Sequence, residues 1–377
     1  MRLSEQHEMM RDGVRRYARE RLWPNSGKWD RERHFPRAEL AEMARMGLNA
    51  VAVPEQWGGA GMDCTAGAIA FEEVSAGDAA LGTVLSVNNL VSGILNGYGS
   101  EAQKEKYLRP LAAGRMIGAF CLTEPQVGSD AGAIATRAER RGGQWVLNGT
   151  KQFITSGKNA DVAVVFAVSD RDAGKKGISA FVVPTSSRGW RVARVEDKAG
   201  QHASDTAQIA LEDCAIPAEN LLAREGMGYR IALANLESGR INIAAQATGI
   251  ARAALEAALA YARERKSMGK TLIAHQAVNF RLADMATQVE AARQLYLHAA
   301  ALRDAGEPCL KEASMAKLFA SEMAEKVCSD AIQIHGGYGY VADYPVERLW
   351  RAVRVCKICE GASDIQRLVI GRALERG

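Results

Sequence analysis

The stretch Ala207–Ala253, AQIALEDCAIPAENLLAREGMGYRIALANLESGRINIAAQATGIARA, changes texture partway along. Its first eleven residues, AQIALEDCAIP, form a short apolar run closed by Pro217, the pattern of a strand. From about Tyr229 the chain turns Ala-rich and reads as long helix. Ala244, Ala245, Gly249 and Ala253 are small enough to let another helix approach closely, as in a bundle.

Moving back along the chain, WVLNGTKQFIT, DVAVVFAV and ISAFVVP are further strand-like runs, separated by Gly, Asn, Asp and Pro signals. They predict a β-domain with antiparallel connections, and Asn148–Gly149 is the strongest hairpin-turn signal in it. Before it, from Glu5 to about Gly114, the pattern is mostly helical: Leu40, Met43, Ala44 and Leu48 recur at helical spacing. Pro54 with Gly58, Gly59 and Gly61 marks a loop, and Ser100 followed by Gln103 is a capping-box signature. Moving forward, CLKEASMAKLFASEMAEKVCSDAIQIH is another long helix. The order is helical, β, helical, with expected domains at 1–115, 116–226 and 227–377.

Across 377 residues, 48 Lys+Arg against 44 Asp+Glu leave a net charge of +4, with no concentrated basic stripe, which argues against nucleic-acid binding. Apolar residues at 47% and charged residues at 24% are those of ordinary globular proteins. The longest uninterrupted apolar run, Val162–Val168, is far too short for a spanning helix, so no membrane span is expected. A charged N-terminus without an apolar core region and seven scattered cysteines predict free thiols in a reducing cytoplasm.

Several motifs carry potential chemistry. CLTEPQVGSD, Cys121–Asp130, is a polar loop whose Thr123, Ser129 and flexible Gly128 suit the binding of a ring or phosphate, though an ordinary polar turn has the same composition. Gly337–Ala342 matches a degenerate GxGxxA, but it follows a helical segment where a dinucleotide fingerprint must follow a strand. Cys356-Lys357-Ile358-Cys359 is a CxxC with no second pair and no βαβ context, which leaves thiol redox chemistry as a weak alternative.

In one order along the chain stand WVLNGTKQFITSG, EDKAGQHASDT, YARERKSMGK, AIQIHGGYGY and KICEGASDIQRLVIGR. Together these closely resemble the acyl-CoA dehydrogenase family, over essentially the whole chain, and GISAFVVP through LESGRINIAAQATGIA looks most like its short-chain branch. The resemblance implies an α+β multidomain fold with an N-terminal α-helical domain, a middle antiparallel β-domain and a C-terminal four-helix bundle. It implies FAD as cofactor, an acyl-CoA substrate, electron-transfer flavoprotein as redox partner and a homotetramer; an acyl-CoA oxidase passing electrons to oxygen is the alternative with the same motifs. No metal is implied.

By position, the resemblance makes Glu360 the catalytic base and Gly361 a close backbone approach for the substrate. Such a base needs desolvation, and hydrogen bonds to the carbonyl oxygen where enolate charge develops. Arg240 is expected to support base and substrate, and Glu237 to contact the pantetheine arm, whereas a base found directly before that arginine in one branch is here Gly239. FAD contacts are expected from Phe120, Leu122, Thr123, Gly128 and Ser129, the last also near substrate, and from Phe153, Ile154 and Thr155, with Phe153 stacked on the flavin. Arg265 and Ser267 resemble a pyrophosphate grip from a neighbouring subunit, and Gln276 with Gln333, Ile334, His335, Gly336 and Gly337 an ADP cradle. Ala362 and Asp364 occupy cofactor positions where threonine and Glu or Gln are common. Val84–Leu95 is expected to border the acyl pocket, with Leu90 or Ile94 shortening it.

Overall fold

The computed structural model describes residues 3–375. Its N-terminal helices are α1 (Glu5–Tyr17), α2 (Trp23–Glu32), α3 (Arg37–Arg45), α4 (Cys64–Gly77), α5 (Ala79–Tyr98) and the short α6 (Glu101–Gln103) and α7 (Arg109–Ala112). Asp63 and Asp78 cap α4 and α5 by accepting from Ala66 N and Leu81 N, and the Ser100–Gln103 capping box forms with both of its bonds. Among the described residues, α5 is long and apolar enough to cross a membrane, but 67% of its apolar window is buried inside the protein. Leu90 and Ile94 on α5 both lie in the core beside Val91 and Leu95.

The middle region holds β1 (Gly118–Cys121), β2 (Arg137–Arg141), β3 (Gln144–Thr155), β4 (Val162–Val168), β5 (Ile178–Pro184), β6 (Trp190–Val195) and β7 (Thr206–Pro217) in one seven-stranded sheet, ordered β1-β4-β2-β3-β7-β6 with β5 also on β4. Most pairs are antiparallel; β1 runs parallel to β4, and β2 meets β4 in parallel at one point. Side chains on β4 alternate faces: Val162, Val164 and Phe166 pack with Ile94 and Leu108, whereas Ala163, Val165 and Ala167 pack with Trp145 and Ile209.

Asn148–Gly149 is not a hairpin turn. It lies inside β3 at a register shift against β7, where Asp213 N donates to Asn148 Oδ1 and Asn148 Nδ2 to Asp213 Oδ1. Gly149 is there for close approach, since a Cβ would stand 2.7 Å from Thr136 Cα. The hairpin between β2 and β3 turns instead on Gly142 and Gly143, both with positive φ.

The C-terminal region is built on α8 (Gly228–Glu264), α9 (Gln276–Asp304) and α10 (Leu310–His335), with α11 (Pro345–Val353) and α12 (Ser363–Glu375). A two-stranded hairpin, β8 (Lys266–Ser267) and β9 (Lys270–Thr271), links α8 to α9. At Gly249 a Cβ would stand 2.2 Å from Glu72 O, so only glycine lets α8 pack this close to α4. The same junction buries an ion network in which Arg252 on α8 and Arg293 on α9 hold Glu72, and Arg252 and Arg15 hold Glu73.

Candidate active site

Glu360 and Gly361 form the turn between α11 and α12, and both have left-handed backbone, with φ of 51° and 88°. Only glycine adopts this region freely, so the Glu360 conformation must be held from outside. Two buried side chains do so. Gln366 Nε2 on α12 donates to Glu360 O (3.0 Å) and Gly361 O (2.8 Å), and Lys317 Nζ on α10 donates to Gly361 O (2.8 Å). No acceptor among the described residues takes the Glu360 backbone N–H.

The Glu360 side chain reaches α8. A Cβ added at Gly239 would stand 2.7 Å from Glu360 Oε2, so the missing side chain at 239 is the space the carboxylate uses. Oε2 is buried and has no hydrogen-bond partner. Burial pushes the Glu360 carboxyl above its usual range, while Arg240 and then Lys317 pull it partway back. Arg240 is itself buried; its Nη1 donates to Ser314 Oγ at 3.2 Å and its Nε is unpartnered. Burial lowers its pKa, opposed by Glu360 and Glu237. Glu237 pairs with Arg303 at 3.4 Å. Thus α8, α10 and the 360 turn bring Glu360, Gly361, Gly239 and Arg240 together, as the motifs imply, and add Lys317 and Gln366, which sequence reasoning missed.

A second group lies on the β-domain. Phe120 packs edge-on against Phe166 with centroids 5.1 Å apart, and the loop after it is pinned by Gln152 N donating to Thr123 O. Beneath the loop, Glu124 is ion-paired to the wholly buried Lys151 at 2.8 Å and accepts from Ala135 N and Thr136 N. Lys151 Nζ also donates to Leu122 O. Phe153 is 64% exposed on left-handed backbone (φ 57°), Thr155 is half-buried, and Ile154 between them faces the sheet core. Gly128 and Ser129 are exposed, and a Cβ at Gly128 would meet nothing.

A third group gathers at the far end of the bundle. Arg265 caps α8 and lies over the Tyr338 ring at 5.6 Å, Ser267 follows in the hairpin, and Gln276 opens α9. Gln333 is exposed, and at Gly336 and Gly337 an added Cβ would meet nothing. Ile334 is buried in the core, and His335 stacks on Tyr261 at 4.3 Å, so both support this end from behind. Along α8, the 25 residues from Arg240 to Arg265 span about 37 Å at a helical rise of 1.5 Å.

FAD fits the residues present. Phe153 is an aromatic face held out to solvent, threonine hydroxyls flank the pinned loop, and three open glycines offer backbone to a phosphate or ring. The fit is poorest at two positions: Ala362 has no polar side-chain group, and Asp364 is solvent-facing and paired with Arg367. No group of three or more potential metal-ligating side chains occurs among the described residues.

Residues 4–115, 119–214 and 226–375 match the family models for the acyl-CoA dehydrogenase N-terminal, middle and C-terminal domains. The chain is 47% identical to an acyl-CoA dehydrogenase of Bacillus subtilis over the whole of both chains. It is 48% identical to the mitochondrial short-chain specific acyl-CoA dehydrogenase of Rattus norvegicus, over 99% of this chain and 91% of that protein. The butyryl-CoA dehydrogenase structure from Megasphaera elsdenii superposes over all of both chains with a TM-score of 0.96 at 38% identity. The chain belongs to the acyl-CoA dehydrogenase family, flavoprotein oxidoreductases acting on CH–CH groups. Its relatives in that family include enzymes named as short-chain specific, among them one from Clostridium acetobutylicum at 42% identity over 99% of both chains.

Proposed function

We propose that the enzyme converts a short-chain acyl-CoA, straight or branched, to the trans-2-enoyl-CoA, with Glu360 removing the α-proton. The observation that carries this is the buried Glu360 carboxylate, unpartnered at Oε2 and set against the empty side of Gly239. Desolvation makes the carboxylate a stronger base, and Arg240 and Lys317 oppose part of that shift. The free Glu360 N–H is a donor for the thioester oxygen as enolate charge develops there. FAD, when bound, supplies the acceptor for the β-hydride at its N5 atom.

Phe120, Leu122, Thr123, Gly128, Ser129, Phe153, Ile154 and Thr155 would hold the flavin end. Arg265, Ser267, Gln276, Gln333–Gly337, Ala362 and Asp364 would hold the ADP end. The Arg265 group stands at the opposite end of α8 from Arg240 and the Glu360 turn, about 37 Å along the helix. This favours a homo-oligomer, a tetramer by family resemblance, in which one copy completes its neighbour's site. Glu237, Arg240, Ser129 and Gly361 would contact substrate, electrons would leave to electron-transfer flavoprotein, and the cytoplasm is the proposed location. We divide the chain at 115/116 and 226/227.

Anaerobic addition of butyryl-CoA should bleach the flavin bands of the purified protein. In Glu360→Gln that rate should fall by about 10²–10⁴-fold with flavin still bound; bleaching at the unaltered rate would remove Glu360 as the base. Hydrogen peroxide formed in step with turnover in air would replace electron-transfer flavoprotein by oxygen as acceptor.

A further inference from the structure

Lys317 is difficult to account for as packing. Its side chain is wholly buried, it makes no ion pair within 4 Å among the described residues, and its ammonium donates a single hydrogen bond, to Gly361 O. A buried ammonium with one neutral acceptor is a costly way to join a helix to a turn. It lies on the stripe of α10 made by Ala313, Ala316, Ala320 and Ala324, all fully buried, where an apolar residue would fill the space at less cost.

We propose that Lys317, together with Gln366, is a positioning residue for Glu360, gripping the 360 and 361 carbonyls so that the carboxylate and the Glu360 N–H are both aimed into the site. This rests on Glu360 being the base. Two consecutive left-handed residues, the first with a full side chain, relax toward negative φ unless their carbonyls are restrained. Relaxation at 360 swings the Cα–Cβ bond away from Gly239 and turns the N–H with it. The restraint comes from two elements, α10 and α12, so the turn is held on both sides. Gln366 is fully buried with an unpartnered Oε1, which leaves both of its amide bonds to the 360 and 361 carbonyls.

Lys317 also brings charge. The ionisable groups facing Glu360 are Arg240 from α8, Lys317 from α10 and Cys359 from its own turn, with Glu237 beyond Arg240 and Cys356 beside Lys317. Removing one of the two cations leaves desolvation less opposed, so the carboxylate protonates at higher pH.

The test follows anaerobic flavin bleaching by butyryl-CoA against pH in the holoenzyme and in Lys317→Gln, Lys317→Met and Glu360→Gln. Both Lys317 variants should retain flavin and move the acid limb of the rate profile up by about one pH unit. The plateau above that limb should fall about a hundredfold in Lys317→Met but only roughly threefold in Lys317→Gln, whose amide can still donate to Gly361 O. If Lys317→Met does not fold, the limb in Lys317→Gln decides alone. A plateau in Lys317→Met no lower than in Lys317→Gln, or an acid limb at the wild-type pH in both, with Glu360→Gln inactive, overturns the positioning role and leaves the base intact. Unaltered bleaching in Glu360→Gln overturns both.

Discussion

Glu124, buried, and Glu360, half-buried with its Oε2 out of solvent, each lie near a wholly buried lysine, Lys151 for the first and Lys317 for the second, yet their acidities move in opposite directions. Burial pushes each pKa upward. At Glu124 the Lys151 charge, its hydrogen bond and the Thr136 and Ala135 N–H groups outweigh burial and hold the carboxyl below the usual range. At Glu360 burial wins, because no donor reaches Oε2: Lys317 Nζ bonds to Gly361 O, Arg240 Nη1 bonds to Ser314 Oγ, and the buried Arg240 Nε has no partner. Burial and nearby charge are common to both sites. What separates a carboxylate that fastens a loop from one able to take a proton is whether donors reach its oxygens.

The comparison can be broken at the structural end. Lys151→Met leaves Glu124 buried without its cation and should destabilise the protein by about 3–5 kcal/mol, read as a lower urea midpoint at unchanged slope. The effect should shrink in acid as Glu124 protonates, and a loss below about 1 kcal/mol would show the pair to be dispensable.

It can be sharpened at the other end. In Gly239→Ala the new methyl meets Glu360 Oε2, the far end of a flexible side chain, so the protein can yield by moving the carboxylate. Bleaching by butyryl-CoA should slow roughly tenfold or more. Unfolding free energy should change by less than about 1 kcal/mol, since alanine also favours the helix. Full activity in this variant would mean that the carboxylate does not work from the position seen here.

The smallest effect is a difference in slope. Glu124 titrates lower in the folded state than its ordinary 4.5, so its contribution to stability is present above that pH and lost as pH falls through the lowered value. Glu360 titrates higher, so the protein is better off with it protonated; that advantage is complete below 4.5 and lost as pH rises through the raised value. Glu360→Gln should therefore gain stability relative to wild type as pH rises across that window. A pH-independent difference between the two would contradict the raised pKa of Glu360. The same titration makes the flavin-bleaching rate fall as pH drops through the raised value.

Much of this was legible in the chain. Helix and strand segments, the Ser100–Gln103 capping box and the small stripe at Gly249 depend on neighbours in sequence, and they formed where expected. Asn148–Gly149 misled because the dipeptide that makes a two-residue turn also suits a bulge, and cross-strand pairing with β7 decided between them. Lys317 and Gln366 were missed because single polar residues in helices usually face water. The signal that could have found Lys317 is its place in register with Ala313, Ala316, Ala320 and Ala324, a charge on an otherwise apolar stripe.

The order of domains and the helical and strand character of most segments follow from residues read along the chain, because propensities, caps and motifs act over a few positions, and motif resemblance is what singles out Glu360 as the proposed base. The acidity of Glu360 does not. It arises where α8, α10 and the turn before α12 converge, from the side chain Gly239 lacks and from donors that Arg240 and Lys317 have given to other acceptors. A hydrogen bond that is withheld leaves no mark in a sequence; it exists only when folding has settled where every donor goes.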